Sequence, residues 1–200
     1  EDYTQRGGSP SPAGLRKSVY LEDLAIRYRL PLVRFMEGGG GSVRGTAKGS
    51  KPAISGSPVS ATSRFASIAR VLRTVPVVSA AMGATAGLPA ARLVSSHFAL
   101  MTRHTSQVLI GGPALVERAL GEKKSKEELG GPEVHARSGV VDRVAEDEEE
   151  VFDLIRRFLA FLPPRVGEVA PRRMTGDAPN RREEALLDLV PRDRRFLYKM

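Results

Sequence analysis

The sequence feature that most constrains the fold is the stretch V-P-V-V-S-A-A-M-G-A-T-A-G-L-P-A-A-R at residues 75–92. Its first part, residues 75–81, is an apolar run that predicts a buried strand, with Pro76 at the start, where a missing N–H group costs a strand least. The chain then turns at Gly87 and Leu88 and enters an alanine-rich segment that predicts the start of a helix. A strand, a glycine turn and a helix N-terminus together present free backbone N–H groups to a ligand.

A second glycine turn lies upstream. The apolar run L-P-L-V-R-F-M-E at residues 30–37 ends in four consecutive glycines, residues 38–41. Glycine suits such a turn because a ligand must approach main chain that a Cβ atom would obstruct. Two strand-to-glycine turns in one small domain suggest that two N–H donors converge on one anionic oxygen.

Helical patterns alternate with these strands. Residues 16–28 have apolar side chains at Val19, Tyr20, Leu24 and Ala25, and residues 64–73 place Phe65, Ile68, Ala69 and Leu72 on one helical face. Because a helix joins the two strands, we expect a right-handed crossover and a parallel sheet. The fold class that these patterns predict is α/β.

Shorter elements follow towards the C-terminus. The patterns predict strands at residues 93–100, 108–110 and 140–141, and helices at residues 114–120, 151–162 and 182–189. The acidic run at residues 146–150 precedes the second of these helices, where carboxylates interact favourably with the helix macrodipole. We therefore interpret this run as a helix cap rather than a metal site.

Composition narrows the classes of function. The net charge of +8 is compatible with nucleic-acid binding, but the positive residues are dispersed and only 6% of residues are aromatic, so no stacking platform is predicted. No apolar run reaches the roughly 18 residues of a membrane span, and we expect neither nucleic acid nor membrane as a partner. The absence of cysteine excludes disulfides and thiolate catalysis. The three histidines are scattered, and their spacing does not predict a metal site.

Two features concern the extent of the chain. It begins at Glu1, inside a patterned segment, and we expect it to be a fragment of a longer chain. Residues 44–62 are rich in Gly, Ser, Lys and Pro and have few large apolar side chains, so they are not expected to bury much surface. This composition predicts a mobile loop over the site, with disorder without a function as the alternative.

The chain resembles the carboxyltransferase (beta) subunit of biotin-dependent acyl-CoA carboxylases, of the propionyl-CoA and methylcrotonyl-CoA carboxylase type. The two glycine-turn stretches carry this resemblance, together with three motifs in the same order and at similar spacing: I-G-G-P-A-L-V-E-R-A-L-G-E, E-E-L-G-G-P-E-V-H-A-R-S-G-V-V-D and the closing L-V-P-R-D-R-R-F-L-Y-K-M. Apart from residues 44–62, the resemblance covers nearly the whole chain.

The resemblance implies a crotonase-like (ClpP/crotonase) spiral of ββα units, incomplete at its N-terminal side. Residues 1–162 would form part of an N-terminal carboxyltransferase domain, and residues 163–200 a linker toward a C-terminal crotonase-like domain that is absent here. The expected location is the mitochondrial matrix if the source is eukaryotic and the cytoplasm otherwise, without secretion.

The resemblance also implies the chemistry. In the family, carboxybiotin supplied by a partner carrier domain releases carbon dioxide, and the biotin ureido nitrogen takes a proton from the acyl-CoA. Backbone amides then stabilise the thioester enolate while its α- or γ-carbon is carboxylated, with no metal in this subunit. The implied partners are acyl-CoA, a biotin carboxylase and biotin carrier subunit, the chain's own C-terminal domain and further copies in a homo-oligomer. Because the family's site lies between domains of two subunits, we expect the isolated fragment to be inactive.

The catalytic positions that the resemblance implies are main-chain positions, carried over from the family's S-G-G-A and A-G-G-A turns: Gly39, Gly40, Gly41, Gly87 and Leu88. Leu88 replaces the second glycine of the A-G-G-A turn, and a backbone donor tolerates leucine there if φ stays negative. Pro89, which follows it, has no N–H group, so a contact that this amide makes in relatives is lost.

The positions implied to bind the acyl-CoA are an R-G-G stretch near the N-terminus and a second glycine pair: Arg6, Gly7, Gly8, Gly111 and Gly112. From the residues alone, the R-G-G stretch reads as a plain loop. Glu37 and Asp142 are possible acids, although carboxylates at such positions are more often structural partners of backbone N–H groups or arginines. No G-x-S-x-G motif frames a serine nucleophile.

Two alternatives stay open at this point. The first is another crotonase-like acyl-CoA enzyme, such as a decarboxylase or a hydratase, although a hydratase would require paired glutamates near the glycine turns. The second is a non-catalytic, truncated homologue.

Overall fold

The computed structural model describes residues 12–39, 64–172 and 174–196, together with Thr4 and Gly8. Residues 44–62, for which the sequence predicts a mobile loop, lie outside the described residues. The elements are, in chain order, α1 Pro12–Tyr28, β1 Leu32–Gly38, α2 Arg64–Thr74, β2 Val77–Ala86, α3 Leu88–Val94, β3 Phe98–Thr102, β4 Gln107–Leu109, α4 Pro113–Leu120, α5 Lys126–Gly130, α6 Pro132–Ser138, β5 Arg143–Ala145, α7 Glu148–Leu159 and α8 Leu186–Leu189.

The strands form one parallel sheet with the order β1-β2-β3-β5. The short strand β4 pairs with the carboxyl end of β2, beyond the residues that pair with β3. Since all these strands run in the same direction, their carboxyl ends lie along one edge of the sheet, and the turns that follow them share that edge. The parallel α/β sheet that the sequence predicts is confirmed.

One face of the sheet packs against α1, α2 and α3. Alternate residues of the strands point to this face and join two apolar clusters. The first consists of Met36, Ala81, Ala90, Leu93, Ala99, Met101, Val108 and Val141. The second consists of Ala25, Val71, Val75 and Val77. The large aliphatic side chains among them each contribute about 1.5–3 kcal/mol by burial, which holds the three helices on the sheet.

The other face packs against α7. Its cluster consists of Val78, Ala80, Leu100, Ala145, Val151 and Ile155. Two aromatic pairs extend the contact. Phe98 and Phe158 stack with ring centroids 4.7 Å apart, and Phe35 meets Phe152 edge to face at 5.4 Å. Helix α7 begins at the N-cap Asp147, whose carboxylate accepts the Glu150 amide at 2.9 Å, so the interpretation of the acidic run as a cap is confirmed.

Two strand predictions are wrong in position. Residues 93–100 do not form one strand, because Leu93 is a buried residue of α3 and the chain bends before β3 begins at Phe98. Val140 and Val141 precede the last strand, which runs from Arg143 to Ala145. Gly139 ends α6 in the left-handed conformation, and the following residues are needed to bring the chain back to the sheet.

Each predicted helix is present, but the bounds and the buried faces of some helices differ from the prediction. The buried face of α2 consists of Ser67, Ile68 and Val71, with Leu72 packed beside it. The predicted apolar face is therefore correct at Ile68 and Leu72, and it is wrong at Ala69 and at Phe65, which is 66% exposed. Helix α7 ends at Leu159 and not at residue 162, and the helix predicted at residues 182–189 forms only as the short α8. The exposed, charged segment after residue 121 contains the additional helix α5.

The described residues from 164 onward are exposed and contain no strand. One hydrogen bond, from the Val166 amide to the Arg29 carbonyl at 2.8 Å, joins the start of this segment to the end of α1. The division into a domain and a linker near residue 162 stays a prediction. No helix within the described part of the chain has the length and apolar character needed to cross a membrane.

Candidate functional site

The two glycine turns of the sequence lie at the same edge of the sheet. Strand β1 ends at Gly38, which pairs with Thr85 of β2, and β2 ends one residue later, just before Gly87. Neighbouring strands lie about 4.8 Å apart. Gly39, which follows β1 and is exposed, is therefore beside the end of β2, as the sequence predicts.

An irregularity in the pairing of β1 with β2 shapes this edge. Met36 pairs with Ala81 and Gly38 with Thr85, so β2 contains extra residues opposite the end of β1. The buried Thr85 hydroxyl donates within this bulge, with the Met36 and Gly83 carbonyls each 3.1 Å away. A bulge bends its strand and changes the direction of the residues after it. The bulge therefore directs the end of β2 into the Gly87 turn.

The end of β1 makes a close backbone contact with Gly8. Gly8 has φ +74° and Gly38 has φ +154°, conformations that L side chains rarely adopt. A Cβ atom on Gly8 would lie 2.3 Å from the Cα atom of Gly38, which leaves no room for any side chain. Gly8 of the R-G-G stretch thus lies against the first glycine turn. Arg6 and Gly7, like Gly40 and Gly41, lie outside the described residues.

The second turn is built by Gly87, whose φ of +65° favours glycine. Its N–H group donates to the Leu109 carbonyl of β4 at 3.0 Å, so this amide is used within the sheet. Arg29 is the one described non-glycine residue with positive φ, which means that Leu88 meets the condition for a backbone donor. The Leu88 amide lies in the first turn of α3, where the helix provides no acceptor. Of the two predicted positions, Gly87 makes the turn and Leu88 has the amide that can face a ligand.

The glycine pair after β4 follows at the same edge. Strand β4 pairs with β2 over Ala84 to Ala86, so the turn that leaves β4 lies beside the Gly87 turn. Gly112 is the N-cap of α4, with Pro113 in the first turn. A Cβ atom on Gly111 would lie 2.6 Å from the Cδ2 atom of Leu115. Gly8, Gly39, Leu88 and this pair therefore share one edge, and their roles toward a ligand stay predictions.

The two carboxylates considered in the sequence have different surroundings. The Asp142 carboxylate accepts the Ala99 amide at 2.7 Å, and the Asp142 amide donates to the Ala99 carbonyl at 2.9 Å, so Asp142 is a structural partner. The Glu37 side chain is half-buried at the site edge and lies over Gly83, where a Cβ atom would be 2.6 Å from its Oε1 atom.

A buried ionic group lies beneath the edge and is absent from the sequence-based predictions. The Glu22 carboxylate of α1, 1% exposed, accepts three hydrogen bonds from three other elements. Arg34 of β1 donates through Nη2 at 3.0 Å, Arg92 of α3 through Nη2 at 2.8 Å, and Ser67 of α2 through its hydroxyl at 2.5 Å. We refer to these four residues as the Glu22 cluster. The signal in the sequence is Arg34, a charged residue inside the apolar run that predicts β1.

The electrostatics of the Glu22 cluster favour an ionised carboxylate. Burial alone would raise the pKa of Glu22, but the Ser67 hydroxyl and the guanidinium groups of Arg92, Arg34 and Arg64 outweigh it, so the pKa is lower than the ordinary 4.5. Burial and the neighbouring Arg92 lower the pKa of Arg34 to about 10, against the opposite effect of Glu22. Both side chains are charged at neutral pH, and the cluster contains more positive than negative charge.

The described cavity of about 330 Å³ lies at the opposite edge of the sheet. It is lined by residues around the amino end of β2, among them Thr74, Val75, Pro76 and His97. The Nδ1 atom of His97 accepts the Val77 amide at 3.0 Å, which gives this histidine a structural role. Within the described ranges, no three His, Cys, Asp or Glu side chains come together as metal ligands. The glycine turns and the cavity are therefore separate features.

Comparison with known proteins identifies the family of the chain. The family model described as the carboxyl transferase domain matches residues 1–200. The alpha subunit of methylmalonyl-CoA decarboxylase from Veillonella parvula is 31% identical over 205 residues, which cover 100% of this chain and 38% of that subunit. The beta5 subunit of a biotin-dependent acetyl-/propionyl-coenzyme A carboxylase from Mycobacterium tuberculosis is 32% identical over 189 residues, which cover 94% of this chain and 33% of that subunit.

Among solved structures, the fold is similar to the 12S core of transcarboxylase, with a TM-score of 0.70 over 99% of this chain and 38% of that one, at 24% identity. The chain spans about a third of the length of the relatives that it matches. Its fold is the crotonase-like fold of the carboxyltransferases, and the resemblance to the beta subunits of acyl-CoA carboxylases is confirmed. On its sequence and its fold, the chain belongs to the carboxyl transferase domain family.

Proposed function

We propose that this chain is part of a carboxyltransferase that moves a carboxyl group from carboxybiotin to the α- or γ-carbon of an acyl-CoA. The observation that carries the proposal is the pair of glycine turns at the carboxyl ends of β1 and β2. The pairing of Gly38 with Thr85 puts them side by side. The relatives named as methylmalonyl-CoA decarboxylase and acetyl-/propionyl-coenzyme A carboxylase subunits support an acyl-CoA as the ligand for these turns.

The proposed reaction needs little from protein side chains. The N–C bond of carboxybiotin breaks and releases carbon dioxide, and the ureido nitrogen takes the acidic proton of the acyl-CoA. The electron pair of that C–H bond moves toward the thioester oxygen, which gives an enolate. The enolate carbon then bonds to carbon dioxide, and biotin and the carboxylated acyl-CoA are the products. In this scheme the protein orients both substrates and stabilises the enolate oxygen.

Main-chain donors supply that stabilisation. At the first turn, we assign the stabilisation of the enolate oxygen to amides of the glycines that follow β1, of which Gly39 is described. At the second turn, we assign this role to the Leu88 amide, since the Gly87 amide donates to the Leu109 carbonyl. Donors aimed at a developing oxyanion typically contribute about 3–4 kcal/mol each to lowering the barrier. The glycine pairs near Gly8 and Gly111 would then contact the rest of the acyl-CoA, and a partner carrier would deliver the biotin.

The experiment uses the complete protein, with methylmalonyl-CoA and free biotin as substrates and propionyl-CoA as the measured product. Leu88→Pro removes the N–H group at a position where the first helical turn tolerates proline. Leu88→Ala is the matched control, because it shortens the side chain and keeps the amide. We expect Leu88→Pro to lower kcat by about 100-fold or more and Leu88→Ala to change it by less than about threefold.

Two results would count against the proposal. If the wild-type protein transfers no carboxyl group between these substrates, the assignment as a carboxyltransferase fails. If a folded Leu88→Pro protein keeps the wild-type kcat, the Leu88 amide is not a donor to the enolate, although carboxyl transfer itself would stand.

A second candidate is the same transfer run in the direction of decarboxylation. It is favoured by the relative named as a methylmalonyl-CoA decarboxylase subunit, which matches the whole chain. The same turns would stabilise the same enolate, now formed by loss of the carboxyl group. In the assembled complex, ATP-dependent uptake of labelled bicarbonate into acyl-CoA would indicate a carboxylase. Release of carbon dioxide from methylmalonyl-CoA without ATP would indicate a decarboxylase.

A further inference from the structure

The Glu22 cluster is a costly way to fill a core. A buried carboxylate loses its hydration, and replacement of a buried ion group by apolar side chains of similar volume is often neutral or stabilising. Glu22 nevertheless binds two guanidinium groups and a hydroxyl group inside the layer of α1, α2 and α3. Such charged hydrogen bonds fix the distances and directions between particular atoms, whereas apolar contacts do not.

Two partners of Glu22 lie in the segments that adjoin the two glycine turns. Arg34 lies in β1, four residues before Gly38, and Arg92 lies in α3, four residues after Leu88. Arg34 also donates through Nη1 to the Arg92 carbonyl at 3.4 Å, which links the strand to the helix directly. A single carboxylate thus connects the segment that leads into one turn with the segment that leads out of the other.

The backbone pairing places β1 against β2 but does not place α3. Gly38 pairs with Thr85 beyond the register shift, which sets the end of β1 beside the end of β2. Helix α3 is seven residues long and follows Gly87, a residue with wide conformational freedom. The Glu22 cluster joins this helix directly to β1.

We propose that Glu22 is a positioning residue for carboxyl transfer: it holds Arg34 and Arg92 so that the turns at Gly39 and Leu88 keep the separation that a shared enolate oxygen requires. This inference rests on the proposed function. Glu22 is buried beneath the edge and acts through the two arginines, not on the substrate. A misplacement of about 1 Å caused by a change remote from the reacting atoms can lower a rate by about 100-fold.

The test compares Glu22→Gln with Asp23→Asn in the complete protein. Both variants convert a carboxylate of α1 to its amide, and both carboxylates bind an arginine, but the partner of Asp23 is Arg70 of α2, at the surface. We expect Glu22→Gln to lower kcat for transfer from methylmalonyl-CoA to free biotin by about 10-fold or more, with KM within about twofold. Asp23→Asn should leave both constants unchanged.

A second readout is independent of activity. Hydrogen exchange is measured for peptides that cover residues 32–39 and 87–92, at a temperature where all variants are folded. Exchange should be faster in Glu22→Gln than in the wild type, and unchanged in Asp23→Asn. Arg92→Lys keeps the charge and loses the planar fork of donors, and it should act in the same direction in both measurements. This variant also tests the inference if Glu22→Gln does not fold.

Several outcomes would overturn the inference. One is a folded Glu22→Gln or Arg92→Lys protein with normal kcat and normal exchange at both peptides. Another is a loss of kcat that equals the loss of folded protein, because that would reflect stability alone. If the wild-type protein transfers no carboxyl group, the proposed function fails, and exchange at residues 87–92 then decides separately whether Glu22 holds the turn.

Discussion

The two faces of the parallel sheet are covered by helices in different ways. On the face of α1, α2 and α3, the Glu22 carboxylate binds groups from β1, α2 and α3 at 2.5–3.0 Å. On the face of α7, the contact is apolar, with Val151 and Ile155 buried against the sheet and Phe158 stacked on Phe98. Both arrangements attach helices to the same strands.

The difference concerns direction rather than strength. Apolar burial depends on the area that is removed from water and not on the direction of single contacts, so most of the contact of α7 with the sheet is non-directional. Charged hydrogen bonds restrict both distance and angle, so the positions of Arg34 and Arg92 follow from that of Glu22. The directional contacts occur on the face that leads to the glycine turns, and the non-directional contacts on the face that does not.

The largest effect is expected when the Glu22 cluster, on the face of α1, α2 and α3, is disrupted. Glu22→Ala leaves the guanidinium groups of Arg34 and Arg92 buried without this carboxylate, and it should lower the free energy of unfolding by about 3–5 kcal/mol. Urea denaturation followed by circular dichroism measures this change. Replacing Glu22, Arg34 and Arg92 together by Met, Met and Leu should restore stability to within about 1 kcal/mol of the wild type, or exceed it. A triple variant as unstable as Glu22→Ala would contradict the view that the cluster serves geometry.

A smaller effect is expected on the apolar face. Ile155→Ala removes a buried side chain from the contact of α7 with the sheet and should cost about 2–4 kcal/mol. Because no directional contact is lost, kcat per folded molecule in the carboxyl-transfer assay should stay within about twofold of the wild type. Asp153→Ala, an exposed change on the same helix, should alter stability by less than about 0.5 kcal/mol. A selective loss of kcat in Ile155→Ala would show that this face also positions the site.

The smallest effect is expected for the pH dependence of the stability that Glu22 contributes. The pKa of Glu22 is lower in the folded state than the ordinary value of 4.5, so its contribution is complete above that value. It is lost as the pH falls through the lower, folded-state pKa. The slope from this one group is at most about 1.4 kcal/mol per pH unit. We expect the stability difference between the wild type and Glu22→Gln to shrink below pH about 4.5, and a constant difference would show that Glu22 is not ionised.

The long apolar runs and the strongest helical patterns were predictable from the sequence. They correspond to β1, β2, α2 and α7. A buried strand appears in the sequence as a continuous apolar run, and a helix with one buried face appears as apolar residues at helical spacing. The turn at Gly87 was predictable from the glycine and the alanine-rich segment after it, although β2 continues to Ala86 and does not end at residue 81. The short strand β5 was misplaced because three residues carry no period, and Val140 and Val141 look more strand-like than Arg143 does.

The parts that were missed depend on contacts between distant residues. Ser67 faces the core in place of Phe65 because its hydroxyl binds Glu22, and no helical pattern predicts a buried serine. Helix α5 did leave a local signal, since Ser125 and Glu128 form a capping box that the sequence contains as S-x-x-E. The use of the Gly87 amide by Leu109 could not be predicted, because it requires the position of β4.

The Glu22 cluster also has a consequence for the order of folding. Its partners lie 12, 45 and 70 positions from Glu22 along the chain. The carboxylate is therefore fully compensated only after α1, β1, α2 and α3 have all assembled. Contacts that form after the rate-limiting step change the rate of unfolding and leave the rate of folding almost untouched. We therefore predict that the cluster forms late in folding and contributes to how long the folded state lasts rather than to how fast it is reached.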